Sequence, residues 1–532
     1  MPVPLRAGAG RGRPAGAPPR PRDARRPAGA PRCRLSRGSL VTPVAAPALA
    51  RLRARFTAPP STRVLVHRGT CGDAVESTRV LDSLRAALGP RAALAVETAC
   101  DGACWATPAA TVVRPGHRHR FARLDREPLE PLLTCIDGAC EDDYAGSGER
   151  GLLARVGHLD GSLADALAQG AYLAAAHALQ QKPADVIEAV QKASLTGRGG
   201  AHFATAQKWR LAAQNPAPRI LVVNAEEGEP GVFKDRHLLE GDPHRLIEGI
   251  LIAAHAVGVA RAVIYINGQA RYARRAVEAA VAQTRDAGLL DGSALGGAGV
   301  EIEVRSGAGG YVCGEESVIL NSVEGERPVP RLRPPFATDR GLFDRPTVIN
   351  NVETLCAVTT VYDGPPPPTK LLSLSGALPR PGLYEVPVDG ATAWSGVLAA
   401  AGANPQRVRA LLLGGPSGRF VLAEEFEEPL EMRGLGAGGV VVLPLDADIA
   451  RVTRGLAAYN ARESCGECTP CREGAPRLVA LLEDATANRE QIDALIEVMT
   501  EASLCQLGGM AGRPVASALA LFPEAFEREA SR

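Results

Sequence analysis

No apolar run in this 532-residue chain reaches the roughly 18 residues that a membrane-spanning helix needs. The nearest stretch, Ile250 to Ile266, is broken by His255 and Arg261, which excludes a transmembrane helix. Cysteine is also sparse. Twelve residues are too few for a disulfide scaffold of this length. An excess of one charge sign is missing as well: 60 Lys and Arg face 59 Asp and Glu, for a net charge of +1. That balance hides an asymmetry, because residues 1–60 carry 13 Arg and one Asp, leaving the rest near −11. A neutral total over an acidic body argues against a dedicated nucleic-acid binder. No internal repeat is present. With 45% apolar and 22% charged residues, wholesale disorder is excluded. The length suits about three to five domains.

The first 60 residues are Arg, Pro, Gly and Ala without periodicity, which predicts a disordered and dispensable tail. A targeting peptide is the alternative. Arg25-Arg26 suggests a twin-arginine signal, but the stretch after it is weak and broken by Pro43 and Pro47. Residues 61–148 read as strand, helix, strand, strand: Thr62–His67, Ser77–Leu88, Ala93–Thr98 and Ala109–Val113. That order fits a thioredoxin-like unit. A helical stretch runs from Leu163 to about Ala193. Within 149–365, the strands Arg219–Asn224, Ala262–Asn267 and Val300–Arg305 alternate with helices Pro243–Val257 and Arg271–Ala287. Continuous apolar strands between helices predict a parallel sheet buried on both faces. After the break at Asp363–Pro368, residues 366–445 hold short strands and Gly-rich turns, and 446–532 are helical.

Thr196–Trp209 reads TGRGGAHFATAQKW. It is neither a P-loop nor G-x-G-x-x-G, because His202 stands at the third glycine position. Its glycines expose backbone N–H groups, and Arg198 and Lys208 add charge suited to phosphate. A glycine turn that binds nothing would look much the same. The weight comes from three further segments. NAEEGEPGVFKDR starts at Asn224 where a buried strand ends, the place where open α/β sheets bind ligands. GGYVCGEE at Gly309–Glu316 also follows a strand. TVINNVET at Thr347–Thr354 offers two adjacent Asn amides, each able to donate and accept. Four such loops point to one large cofactor pocket.

Ser464–Cys471 reads SCGECTPC, and Cys505 follows in SLCQLGG. Three thiols on one tight loop plus one distant thiol suit a [4Fe–4S] cluster. The rival is a structural zinc site, which more often uses two separate C-x-x-C pairs. Upstream, Cys71, Cys100, Cys104, Cys135 and Cys140 form a looser group.

These segments, in this order over residues 150–525, resemble the NADH-binding flavoprotein subunit of respiratory complex I and its relatives. Those relatives are the diaphorase subunits of NAD-reducing hydrogenases and of NAD-dependent formate dehydrogenases. The resemblance implies an α/β fold with a Rossmann-like FMN and NADH domain, a thioredoxin-like N-terminal domain, a small β-grasp-like domain and a C-terminal helical iron–sulfur domain. It implies that Gly197, Arg198, Gly199, Gly200 and Lys208 contact FMN and NADH phosphates. Phe203 and Phe336 would lie against the dinucleotide. Glu229 and Glu316 would lie near its nicotinamide and adenosine moieties. Asn224, Glu226, Glu227, Gly314, Glu315, Asn350, Asn351 and Thr354 would frame FMN. Cys465, Cys468, Cys471 and Cys505 would hold [4Fe–4S]. Departures from the family pattern are Glu226 for Asp, Arg333 for Lys, Leu211 for Phe, His202 for Gly and Ala204 for Pro. The upstream cysteines resemble a [2Fe–2S] domain one Cys short. That favours a cluster-free domain, with His67, Cys135 or Cys140 as the candidate fourth ligand otherwise.

The implied activity is hydride transfer from NADH to FMN, then single electrons to [4Fe–4S], within a multi-subunit oxidoreductase. Expected partners are a [2Fe–2S] thioredoxin-like subunit and a larger iron–sulfur subunit, with the chain cytoplasmic or peripheral to the inner face of a membrane. A diaphorase or beta subunit of a formate dehydrogenase or hydrogenase is the first alternative. A non-catalytic iron–sulfur assembly subunit is the second.

Overall fold

A computed structural model describes residues 45–138, 151–362 and 368–527. Three sheets organise them. The first is built from β1 (Arg63–Arg68), β2 (Ala95–Ala99), β3 (Ala110–Arg114) and β4 (His117–Phe121), in the order β2-β1-β3-β4. β1 runs parallel to β2, and the other pairs are antiparallel. The central sheet contains β5 (Arg219–Ala225), β6 (Val259–Ile266), β7 (Glu301–Ser306) and β8 (Thr347–Asn351). Its order is β7-β6-β5-β8 and every pair is parallel. The third has β9 (Thr369–Gly376), β10 (Gly382–Pro387), β11 (Val408–Leu413), β12 (Arg419–Leu422) and β13 (Gly439–Pro444), ordered β10-β9-β13-β11-β12.

The central order places β5 and β8 side by side although they lie at opposite ends of this segment in sequence. Chain direction across the sheet reverses there, which opens a crevice beyond their carboxyl ends. One helix packs this sheet into the main core. In Pro243–Val257 every residue but His255 is buried. Asp242 caps its start by accepting from the Arg245 N–H, Pro243 needs no donor there, and Gly258 ends it at φ +74°. Arg155 and Arg245 both pair with the buried Asp242 carboxylate, so its charge is compensated.

Several elements differ from expectation. TVINNVET is not a loop: Thr347–Asn351 is β8 and Val352–Thr360 is a helix. The alternating Thr, Ile and Asn conceal a strand whose first four residues are buried. The helical stretch after Leu163 is three short helices, Leu163–Ala168, Leu173–Ala178 and Pro183–Lys192, interrupted at Gly170 and Pro183. Of the expected break at 363–368, only Pro368 is described, and Cys33 and Cys140 lie outside the described residues.

Residues 1–44 of the expected tail lie outside the described residues, and the remainder needs the largest correction. Ala45–Arg53 is a helix. Leu49 and Leu52 are buried in the main core, and Phe56 packs against it. These three recur at i, i+3 and i+7, a helical face that the surrounding Ala, Pro and Arg obscure. The Arg55 guanidinium donates to the Ala287 carbonyl at 2.9 Å. Leu49→Ala and Leu52→Ala should each lower stability by about 2–5 kcal/mol, read as a lower thermal midpoint. A chain starting near Ser61 should melt lower than the full chain. Unchanged melting would mean that this helix adds nothing to the core.

Candidate functional site

The first loop closes on itself. Thr196 and Ala204 form an isolated bridge, and the Gly197 N–H donates to the Phe203 carbonyl at 2.8 Å. The Arg198 N–H donates to Thr354 Oγ1 at 2.9 Å, which ties the loop to the helix after β8. Gly200 sits at φ +114°, open to glycine and strained for other residues. A Cβ on Gly199 would stand 3.1 Å from the Asn351 Cβ. The loop therefore lies on the Asn351 side chain without a gap. His202 takes φ +52°, a left-handed conformation that accounts for the glycine usual at that place.

Helix Thr205–Ala213 carries the next groups. Lys208 pairs with Glu316 and donates to the Ile349 carbonyl at 3.1 Å. Its ammonium sits 5.9 Å from the centre of the Phe203 ring. The buried Trp209 donates from Nε1 to Asn350 Oδ1 at 2.9 Å. Phe203, Phe336 and Leu211 are exposed, and the Phe203 ring lies beside Lys208.

The loop after β5 turns its carboxylates inward. Asn224 Nδ2 donates to the Gly314 carbonyl at 2.8 Å, fastening this loop to Gly309–Glu316. Glu227 accepts the Asp235 and Arg236 N–H groups at 2.7 and 3.1 Å. It thus caps the helix Lys234–Gly241, and both of its oxygens are occupied from behind the crevice. Glu315 caps the helix Glu316–Glu324 and pairs with Arg333, the residue at the family's Lys position. Glu229 accepts from Tyr311 and from Ser417 Oγ, and Glu226 accepts from Asn267 Nδ2.

Burial pushes the Glu226 and Glu229 carboxyls up to about 7 from an ordinary value near 4.5. Between those values the folded chain holds protons that the unfolded chain has released. Stability of the flavin-free protein should therefore fall as pH rises from about 4.5 to 7. Glu226→Gln with Glu229→Gln should flatten that slope, measured as urea midpoints at the two ends. An unchanged slope would assign it to other groups.

The sequence alone does not point to the charges beneath the pocket. Lys370 on β9 is wholly buried and donates to Glu353 Oε2 at 2.6 Å, to the Arg198 carbonyl at 3.0 Å and to the Ala437 carbonyl at 3.3 Å. Lys234, also buried, meets Asp235 at 2.7 Å and Glu353 at 3.1 Å. Asp235 in turn accepts from Asn351 Nδ2 at 2.6 Å. Asn351 Oδ1 caps the following helix by accepting the Glu353 N–H. A signal does exist. The chain has five lysines against 55 arginines, and Lys208, Lys234 and Lys370 are three of the five. Lysine's compact ammonium, with three donors, suits a three-way buried junction better than the flat guanidinium fork.

On the loops just described, Arg198 Nε, Glu226 Oε2, Glu229 Oε1 and both ring nitrogens of His202 are buried with no hydrogen-bond partner among the described residues. An orphaned buried group costs about 1–3 kcal/mol, so several together fit a polar ligand that would satisfy them. The Gly197 and Arg198 N–H groups are committed within the protein, which leaves the Gly199 and Gly200 N–H groups and the Arg198 guanidinium to suit its phosphate. The Asn224, Asn350 and Asn351 amides, with Thr354, line the side between β5 and β8.

The four cysteines converge as expected. Cys465, Cys468, Cys471 and Cys505 line one small cavity with Val312 and Pro330. Cys468 and Cys505 are the N-cap residues of Thr469–Leu481 and Gln506–Met510, so backbone N–H groups face the thiol cage. Burial pushes the Cys505 thiol up to about 11. Such a donor set fits a cluster that takes the thiols as thiolates. Val312 belongs to the loop that also carries Gly314, Glu315 and Glu316, so one segment borders both sites.

Upstream, two of the three candidate fourth ligands are committed elsewhere, and the third, Cys140, lies outside the described residues. His67 is buried against Thr111 Oγ1 at 3.0 Å and Asp101 at 3.7 Å, and it is not among the groups that gather around the thiols. Cys135 is disulfide-bonded.

Residues 190–360 match the Nuo51 FMN-binding domain. Residues 451–529 match the NADH-ubiquinone oxidoreductase-F iron-sulfur binding region. The F subunit of the NADH-quinone oxidoreductase of Aquifex aeolicus is 38% identical over 69% of this chain and 91% of that protein. The NAD-reducing hydrogenase HoxS subunit alpha of Cupriavidus necator is 36% identical over 66% of this chain and 61% of that protein. A chain of an NAD+-reducing [NiFe]-hydrogenase crystal structure superimposes with a TM-score of 0.64 at 30% identity, covering 93% of this chain and 90% of that one. The matched segments contain the flavin crevice and the thiol cage just described, and the chain belongs to the family of NADH-quinone oxidoreductase flavoprotein subunits, which depend on FMN, NADH and [4Fe–4S].

Proposed function

We propose that this chain draws hydride from NADH at the β5–β8 crevice and delivers electrons singly through the cage of Cys465, Cys468, Cys471 and Cys505. The flavin, when bound, supplies the exchange between a two-electron donor and one-electron acceptors. The chain's own residues bind, orient and exclude water. On the loop that Gly197 closes, Gly199, Gly200 and the Arg198 guanidinium receive phosphate, while Asn224, Asn350, Asn351 and Thr354 hold the flavin's polar edge. Glu226, Glu227, Gly314 and Glu315 keep the surrounding loops in register. Phe203 and Phe336 present flat surface to the dinucleotide, and Lys208 with Glu316 sets its polar contacts. Glu229 lies deeper, fixed by Tyr311 and Ser417. No side chain has to move a proton.

The observation that carries this is the shared loop: Val312 borders the thiol cage, and two residues on, the Gly314 carbonyl is held by Asn224 of the crevice. Electron transfer needs the two cofactors close, and one short segment spans that gap. Purified with iron and flavin supplied, the protein should carry one non-covalent FMN and reduce ferricyanide with NADH. A folded but colourless and inactive protein would contradict the proposal. Glu316→Gln should weaken NADH binding about tenfold, roughly 1.4 kcal/mol, with little change in FMN content. Equal loss of both would make Glu316 a residue that shapes the pocket.

One observation favours a diaphorase of a larger oxidoreductase over a plain quinone-linked subunit. The superimposed hydrogenase chain covers 93% of this chain, a span that reaches into the first sheet. Thus the first sheet has a counterpart in the hydrogenase protein. Its strand order supports a thioredoxin-like unit over 61–148, ahead of a Rossmann-like unit over 149–365, a β-grasp-like unit over 366–445 and a helical unit over 446–532. Partners would be iron–sulfur subunits, one of them larger and one of thioredoxin-like [2Fe–2S] type, in the cytoplasm or at the inner face of a membrane. No helix among the described residues is long and apolar enough to cross one.

A further inference from the structure

The three upstream cysteines find a fourth ligand, and it comes from beyond their own sheet. Cys71 lies on the short helix Thr70–Asp73 after β1, Cys100 follows β2, and Cys104 begins the turn Cys104–Ala106. His237 lies 166 residues beyond Cys71, on the helix Lys234–Gly241 that follows the β5 loop. The three Sγ atoms and a ring nitrogen of His237 all lie within 4.8 Å of one another.

The spacing selects the ion. A tetrahedral zinc with Zn–S of about 2.3 Å and Zn–N of about 2.0–2.1 Å sets S···S near 3.8 Å and S···N near 3.6 Å. Cys71 and Cys104 are 3.7 Å apart. Their sulfurs stand 3.9 and 3.6 Å from His237 Nε2. A two-iron, two-sulfide centre holds its ligand pairs at opposite ends of a diamond, too far apart for this cage. The chain supplies its own comparison: among the described residues no other Cys, His, Asp or Glu set is this tight, the four-cysteine cage at 465–505 included.

The surroundings are built for a ligand histidine. His237 Nδ1 lies 2.6 Å from the Phe233 carbonyl. The carbonyl can only accept, so Nδ1 carries the proton and Nε2 presents its lone pair to the sulfurs. Three residues on, Glu240 accepts from the Thr70 N–H at 3.0 Å and from its hydroxyl at 2.5 Å. Gly69, at φ +88°, leaves room for that carboxylate, since a Cβ there would stand 2.4 Å from its oxygen. The first sheet is thereby fastened to the helix that begins with Lys234 and Asp235 of the flavin-side charge network.

We propose that Cys71, Cys100, Cys104 and His237 hold one structural zinc ion that clasps the N-terminal sheet to the flavin-binding core. All four positions are protein ligands, so the site is closed and has no place for substrate. Zinc has no redox chemistry, so electrons do not pass through this sheet.

Metal analysis of the full-length chain tests this independently of activity. The expected result is one zinc per chain beside about four iron atoms. His237→Ala should lose the zinc and keep FMN and iron, while Cys505→Ala should lose iron and keep zinc. His237→Cys should retain zinc, which guards against a variant that merely misfolds. Cobalt exchanged into the site should show the visible bands of a tetrahedral thiolate ion. Two extra irons without zinc, or neither metal at this site, would overturn the proposal.

Discussion

Lys370→Met should leave the purified protein with little or no FMN, although Lys370 touches none of the loop surface that faces the crevice. Its ammonium binds Glu353 and the carbonyls of Arg198 and Ala437. Removing it leaves Glu353 buried with Lys234 as its one remaining ion-pair contact and leaves the Arg198 carbonyl without its donor. Breaking a buried pair costs about 3–5 kcal/mol, against which the phosphate loop must still hold its shape. If that cost falls on the flavin-competent state, affinity drops by about two to three orders of magnitude. Flavin absorbance per chain and the thermal midpoint read the outcome. Lys370→Arg should recover part of the binding, because it restores charge but not the three-way geometry. Full flavin occupancy in Lys370→Met would mean that the loop stands without its support.

Cys505→Ala should remove the [4Fe–4S] signal in electron paramagnetic resonance and about four iron atoms per chain. Cys505 is the ligand that comes from a separate helix start, so the other three thiols cannot replace it from their own loop. Ferricyanide reduction by NADH should survive in part, because that acceptor can be served from the flavin side. Delivery to a physiological partner should stop. An intact signal would place the fourth ligand elsewhere.

Local pattern carries a large part of the fold. β5, β6 and the helix Pro243–Val257 are read from continuous apolar runs and clear capping residues, and their bounds shift by at most three residues. The crevice is legible for a similar reason: loops that bind phosphate or a ring system must put Gly, Asn and Glu at fixed intervals. The four cluster cysteines announce themselves by spacing. What escapes depends on distance in sequence. Glu353, Lys370 and Lys234 meet only after β8, β9 and the β5 loop are brought together, and no window of sequence contains that junction. The scarcity of lysine marks it without saying where it forms. His237 is hidden inside a motif that reads as part of the flavin site. The nearer candidates for a fourth ligand, His67 and Cys135, are committed by the structure to a hydrogen bond and a disulfide. The helix at Ala45–Arg53 escapes because its three apolar contacts sit in a segment whose average composition argues for disorder.

Electron paramagnetic resonance of the full-length, iron-replete protein, reduced anaerobically with NADH alone, tests the central claim most directly. With FMN bound, NADH should bleach the flavin and raise the signal of a reduced [4Fe–4S] cluster. Stripped of FMN, the same protein should keep its iron and give no signal with NADH, while dithionite still produces one. A cluster signal from NADH without flavin, or none with flavin bound and bleached, would contradict the path from crevice to cage.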